Sequence, residues 1–557
     1  MGIPVIDLFA GPGGLGEGFS SVPNEDGSRA FEIRLSIEKD ANAHETLRLR
    51  AFFRQFPKAE APYEYYEIMR QQAWKDRKKL IAELTDIYPK EWAAAEQEAW
   101  CYELPFPQEF DRNGKKKGGY TDKEIIDRNF EIDSRIENAL KGEKEFLLIG
   151  GPPCQAYSLV GRSRNQGMSN DDHRVHLYKE YLRIIARHQP AVFVMENVKG
   201  LLSAKVDGEK IFPLIKKDLS KPSSVFQEYE CPDYTIYSLT TESMDTVEGQ
   251  PLYKSDTDYL IRSEEYGVPQ RRHRVILLGI REGVGELQAV LRKEPKKVSL
   301  ESVIGKLPAI RSGLNRTFTH YDPIEKYKNG EPKRKYEILT DSDEKWVKIF
   351  SGQIDKLKKW GDVRLNGLSN GPSLFEHGTG AEFVECQNTI DGKHPLKTWF
   401  SDSKLYGVAN HESRSHLTQD LMRYMYSALF LESNDSFPRL KDYEKYHEDL
   451  LPDHKNVKSG KFTDRFRVQV SDIPATTVTS HISKDGHYFI HYDPKQCRSL
   501  SVREAARIQT FPDNYLFCGS RTVQFHQVGN AVPPFLAFQI ARIVKGVYIN
   551  NYGEAIF

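Results

Sequence analysis

Cysteine is scarce in this sequence and shows no pairing pattern. The six cysteines (Cys101, Cys154, Cys231, Cys386, Cys497 and Cys518) are scattered, and no two form a CxxC pair. A disulfide framework and a cysteine metal site are therefore not expected, and a reducing cytoplasm suits such thiols. Long apolar runs are also missing. No stretch approaches the ~18–20 residues a membrane span needs. The first residues lack a basic segment, an apolar core and a small-residue cleavage site, so no signal peptide is expected. Charge of one sign is not in excess either: 79 Lys+Arg face 79 Asp+Glu, which argues against a strongly basic surface overall. The one local surplus is +6 across 286–360, with 17 Lys+Arg and 11 Asp+Glu. That surplus fits a solvated surface as well as a nucleic-acid contact. Repeats and low-complexity tracts are absent, and 557 residues leave room for more than one core.

The remaining text reads as an interrupted α/β pattern. Val5 to Phe9 is strand-like, Ala10 to Gly14 a glycine turn, Leu15 to Phe19 a helix and Arg34 to Glu38 a second strand. From about 41 to 144 the texture changes, with a helical stretch from Ala73 to Trp100, and this segment is expected to be an insertion. The pattern then resumes. Phe146 to Ile149, Ala191 to Met195 and Val275 to Ile280 are short apolar runs suited to buried strands. Arg174 to His188 places Leu177, Tyr181, Ile184 and Ile185 on one helical face. Strands alternating with helices imply a largely parallel sheet covered on both faces. Between Glu286 and Phe466 the alternation is lost, and loops and charge runs are expected. Ser501-x-x-Glu504 then opens a helix with a capping box, and a last helix follows Pro533-Pro534.

Four short segments carry chemistry. Asp7-Leu8-Phe9-Ala10-Gly11-Pro12-Gly13-Gly14 sets glycines after the first strand, where a backbone can approach a ligand, although a tight βα turn also wants glycine. Glu38 ends the next strand, at the height where an acidic residue would hold ribose hydroxyls; otherwise it is an ordinary strand-end charge. Gly150-Gly151-Pro152-Pro153-Cys154-Gln155 follows a buried strand. A lone cysteine is usually a small core hydrophobe, but two prolines hold this turn extended and present Cys154 at the sheet edge as a nucleophile. Glu196 ends another apolar strand and is a plausible proton donor there. In Gln270-Arg271-Arg272-His273-Arg274, an extended backbone would put Arg272 and Arg274 on one face. Two guanidinium forks there suit a phosphate or a carbonyl oxygen, and a basic loop entering a strand is the plain alternative.

Their order and joint content resemble the motif set of the DNA (cytosine-5)-methyltransferase family. The resemblance extends through Arg498 to Asp513, which includes Arg503-Glu504-Ala505-Ala506-Arg507, and ends at Gln527-Val528-Gly529-Asn530-Ala531-Val532-Pro533-Pro534. It covers roughly half of the chain. It implies a Rossmann-like S-adenosylmethionine-dependent α/β fold with helices on both faces and a smaller irregular target-recognition domain. The implied layout is a catalytic domain over 1–285 with its helical insertion at about 41–144, a recognition domain over 286–470, and a return to the catalytic domain over 471–557. S-adenosyl-L-methionine would be held by Phe9, Gly11, Gly13, Gly14, Glu38, Pro153, Asn530 and Val532, with no metal.

The resemblance also implies the reaction. Cys154 adds to C6 of cytosine, Glu196 relieves charge at N3, and Arg272 holds the O2 side with Arg274 nearby. Ser158, Arg162 and Arg164 fall in the equivalent of a mobile catalytic loop, and Thr477 is placed where a threonine contacts the DNA backbone. An acidic residue near the adenine is implied too, with Asp133 the candidate. The implied partners are double-stranded DNA, bound by a monomer, and a cognate restriction endonuclease; no membrane is implied. Two alternatives remain. An RNA cytosine methylase of this family would carry a Cys-Phe-Thr triplet that is missing here. A non-catalytic DNA-binding regulator would be expected to lose Cys154, Glu196 or the glycine turn first.

Overall fold

The structure is a computed structural model. It describes residues 2–553 apart from 58–59, 111–113, 154–172, 207, 328–329, 331, 366–367, 369–373, 447–448, 453–465 and 485. Among the described residues, eight strands form the central sheet: β1 (Ile3–Leu8), β2 (Phe31–Glu38), β3 (Ala99–Cys101), β4 (Leu147–Gly150), β5 (Val192–Val198), β6 (Tyr234–Tyr237), β7 (Leu260–Arg262) and β8 (His273–Arg281). Their spatial order is β3-β2-β1-β4-β5-β8-β6, with β7 also paired to β8. The run from β3 to β5 is parallel, and β8 is antiparallel to β5, β6 and β7. This is the doubly wound order with an antiparallel strand wedged between the fifth and sixth. The order reverses between β1 and β4, and the crevice beyond the carboxyl ends of such strands is where ligands bind.

Around the sheet run helices α1 (Gly14–Ser20), α2 (Ala41–Arg54), α3 (Asp122–Leu140) and α4 (His173–His188), and later α5 (Val502–Ile508), α6 (Arg521–Asn530) and α7 (Pro534–Tyr552). Side chains alternate between the two faces. Ile6, Leu148 and Phe193 pack with Ile132 and Ile136 of α3 and Tyr181 and Ile185 of α4. Val5, Leu147, Ile149 and Val194 pack with Leu15 and Phe19 of α1 and Leu536, Ile540 and Val544 of α7. Burial on both faces is why these strands read as continuous apolar runs. Each fully buried aliphatic side chain contributes roughly 1.5–3 kcal/mol. The span Arg521–Asn551 is long and apolar enough to cross a membrane, yet the apolar side of α7 lies against the sheet.

Two expectations change. The segment 41–144 is woven into the sheet. The stretch expected as one helix from Ala73 is two, Trp74–Ile87 and Pro89–Glu98, because Pro89 lacks an N–H and starts a new helix. Ala99–Cys101 then pairs with β2, matching Glu38 to Cys101. A three-residue strand is too short to show a period. The middle region is also better ordered than a loop-dominated segment. Helices Asp343–Trp360 and Thr418–Asn434 pack Trp346, Phe350, Met425 and Leu429 into a core of their own.

Buried arginines in and beside α5 tie that helix to this region. Arg503 donates to the carbonyls of Ala409 (2.8 Å), Pro512 and Tyr515. Arg507 pairs with Asp513 and donates to Val303 and Thr389 carbonyls at 2.8 and 2.7 Å. Arg498 grips Glu504 with both Nη atoms at 2.7 Å, and Glu504 completes the expected capping box with Ser501. Removing one partner of such a buried pair typically costs about 3–5 kcal/mol.

Candidate active site

The turn after β1 closes on two other parts of the chain. Phe9 has a left-handed φ of 57° and Gly13 one of 89°. Phe9 is half-buried and packs against the core beneath it. A Cβ on Gly14 would stand 2.3 Å from the Val532 carbonyl, so α1 and the turn before α7 touch backbone to backbone. Asn530 ends α6 two positions earlier and is exposed. The Glu38 carboxylate reaches back over the turn and accepts N–H groups from Gly11 at 2.8 Å and Asp40 at 2.7 Å. Burial raises its pKa, against those two N–H groups, which lower it. No atom lies within 4 Å of where a Gly11 Cβ would be, so an acceptor stands beside open space at the switch point. That arrangement fits a hydroxyl-bearing adenosine ligand.

A second cluster stands at the neighbouring strand ends. Gly150 ends β4, and a Cβ on Gly151 would be 2.9 Å from Glu196 Oε2, so the turn that runs on to Pro153 begins against this carboxylate. Pro153 is half-buried. Arg274 Nε lies 2.5 Å from Glu196 Oε1, with both side chains 14% exposed. Ile276 is the register partner of Glu196, so Arg274 is its diagonal neighbour across the β5–β8 pair.

Arg272, expected at the O2 side of a base, lies beside this pair but is engaged with backbone. Its side chain is buried and donates to the carbonyls of Val478 at 2.7 Å and Gly529 at 3.2 Å. Burial, and then Arg274, lower its pKa from the ordinary arginine value. Alternation would put Arg272 and Arg274 on one side of an extended segment, but β8 begins only at His273, and Arg272 is covered by segments from the far end of the chain. It clamps the site wall, and Arg274 faces the site.

Sequence reading missed two members of that wall. Gln270 accepts the Val478 N–H at 2.6 Å and donates to Gln509 Oε1 at 2.8 Å; Gln509 in turn donates to the Val528 carbonyl at 2.7 Å. Both amides are fully buried. Each sat inside a recognised motif, but nothing local marks a glutamine as buried. Thr477 belongs to the same wall, its hydroxyl donating to the Arg271 carbonyl at 2.6 Å. Asp133 is corrected as well. It lies on α3 and is held by Arg183 (3.0 Å) and His188 (2.9 Å) of α4, so its carboxylate is engaged between helices. Cys154, Ser158, Arg162 and Arg164 lie outside the described residues.

A doubly wound sheet that gathers a glycine turn, an acidic strand end and a Glu–Arg pair along the carboxyl edge of its parallel strands defines a Rossmann-like methyltransferase. The model for C-5 cytosine-specific DNA methylases matches residues 113–227 and 241–546. The type II methyltransferase M.Bpa9945I of Bacillus paralicheniformis is 33% identical over 98% of this chain and 99% of its own. The DNA (cytosine-5-)-methyltransferase M.ApeKI of Aeropyrum pernix is 25% identical over 73% of this chain and 82% of its own. The chain belongs to the C-5 cytosine-specific DNA methylase family.

Proposed function

We propose that this protein methylates C5 of a flipped-out cytosine in a specific duplex sequence, through a covalent bond from Cys154 to C6. The observation that carries this reading is the Glu196–Arg274 pair at the sheet edge, against the turn that leads into Cys154. C5 of cytosine is a weak nucleophile until a thiolate adds at C6. Addition places negative charge on the ring. Glu196 hydrogen-bonds or protonates N3, and Arg274 holds O2, so that charge is met on both sides. The activated C5 takes the methyl group, and loss of the C5 proton with elimination of Cys154 restores the ring. A stacked base hides C6, so the cytosine must leave the helix.

S-adenosyl-L-methionine would supply an electrophilic methyl group. Glu38 would bind its ribose, with Phe9, Gly11, Gly13 and Gly14 beneath it and Pro153, Asn530 and Val532 closing the pocket. Gly14→Ala should drive α1 off Val532 and weaken cofactor binding by roughly ten-fold or more, read by calorimetry. Unchanged affinity would remove the glycine turn from the site.

The biological role we assign is protection of host DNA from a partner restriction endonuclease, by a monomer acting in the cytoplasm. Bisulfite sequencing of DNA from cells expressing the protein should show one methylated sequence context. Uniformly unmethylated DNA, with the protein folded and binding cofactor, would overturn the reading.

A further inference from the structure

The glycine turn after β1 brings backbone close to a ligand, but the residues that allow this do little to hold one shape. The Gly13 N–H bonds the Ala10 carbonyl at 2.9 Å and closes the turn. That N–H belongs to the peptide plane between Pro12 and Gly13. The plane can turn over by counter-rotation of the two dihedrals that border it, ψ of Pro12 and φ of Gly13. Proline fixes its own φ and leaves ψ free, and glycine takes either sign of φ about as readily. Gly13 stands at φ 89°, in the left-handed half. Local sequence leaves both orientations of this plane open.

The carbonyl end of the plane is held from 503 residues away, where Tyr515 donates its phenolic O–H to the Pro12 carbonyl. Tyr515 is fully buried. Burial, and then Glu17, push its phenol above the usual tyrosine range, so the donor stays protonated. Phe511 and Phe517 pack on the ring with centroids 4.8 and 5.5 Å away, and the Arg50 guanidinium covers it at 4.8 Å. Arg50 also donates from Nε to Glu17 of α1 at 2.8 Å, so the ring and the helix after the turn share an anchor. The Tyr515 backbone is fixed as well: its N–H bonds the Pro512 carbonyl at 3.0 Å, and its own carbonyl accepts Arg503 at 2.8 Å. A Cβ on Gly13 would stand 2.9 Å from the phenol oxygen. A donor immobilised at ring and backbone cannot follow a flipping carbonyl, so it selects one orientation.

We infer that Tyr515 is a positioning residue for the cofactor: its phenol locks the Pro12–Gly13 peptide plane and preorganises the glycine turn before an adenosine ligand arrives. This rests on the reading of that turn as the cofactor site. Without the hydroxyl, the buried Pro12 carbonyl loses its donor and the plane is free to turn over. The competent turn is then one of two populations, and apparent affinity falls with its share. The test compares Tyr515→Phe with Tyr234→Phe in the full chain. Tyr234 makes a matched bond on edge strand β6, its phenol donating to the Pro190 carbonyl at 2.8 Å. By calorimetry, Tyr515→Phe should bind S-adenosylmethionine and S-adenosylhomocysteine more weakly by the same factor, roughly five- to ten-fold. Amide hydrogen exchange across 10–14 should rise in that variant with no ligand present. Tyr234→Phe should keep wild-type affinity and wild-type exchange in the turn. Wild-type affinity in Tyr515→Phe, wild-type exchange across its turn, or an equal loss of affinity in Tyr234→Phe overturns the proposal. A folded wild type that binds neither adenosine ligand overturns the cofactor reading, and the proposal with it.

Discussion

Cys154→Ser is expected to lower methyl transfer to DNA by on the order of 10⁴-fold or more, with cofactor binding largely intact. A serine hydroxyl at neutral pH supplies almost no alkoxide, and no other residue in the Gly150 to Gln155 segment offers a nucleophile. Apart from Pro153, the proposed cofactor contacts lie on the glycine turn, Glu38 and the turn before α7, so the substitution should leave them in place. Tritium transfer from labelled S-adenosylmethionine measures the loss. A target duplex carrying 5-fluorocytosine should trap wild type covalently through Cys154, because fluorine at C5 cannot leave as a proton does. Normal tritium incorporation by the serine variant would sink the proposed mechanism.

The second large effect separates two arginines that sit two residues apart. Arg274→Ala should lower kcat by about 10²–10³-fold, the usual cost of one preorganised donor at a developing charge, with Tm close to wild type. Arg272→Ala should instead destabilise the fold by about 2–4 kcal/mol. It leaves the Val478 and Gly529 carbonyls without their donor and a hollow behind the wall. Thermal melting and steady-state kinetics on both variants decide the matter. An Arg272→Ala protein that melts like wild type and loses only kcat would return Arg272 to the base.

Much of the catalytic sheet was legible because its strands are buried on both faces and bounded by glycine and proline turns. Leu147 to Ile149, Val192 to Met195 and Val275 to Ile280 all lie in strands. Ala99–Cys101 was not legible, since three residues carry no period and its pairing partner lies more than sixty positions earlier. The helix Asp343–Trp360 was hidden by composition. Its charge run dominates the reading, while the Trp346, Phe350, Ile354 and Leu357 stripe acquires meaning only against Thr418–Asn434. Asp133 shows the opposite error. A carboxylate in about the right part of the chain was spent on Arg183 and His188 once α3 and α4 packed.

By itself the sequence determined the chemistry on offer: a cysteine after Gly-Gly-Pro-Pro, a carboxylate ending an apolar strand, and glycines after the first strand. Those are properties of short segments, and local backbone geometry enforces them wherever the rest of the chain goes. Which arginine meets the carboxylate was decided only by tertiary structure. Strand alternation would put Arg272 and Arg274 on the same side, so no local rule separates them. They are told apart by Val478 and Gly529, 206 and 257 residues further along, whose carbonyls close over Arg272 and leave Arg274 to Glu196.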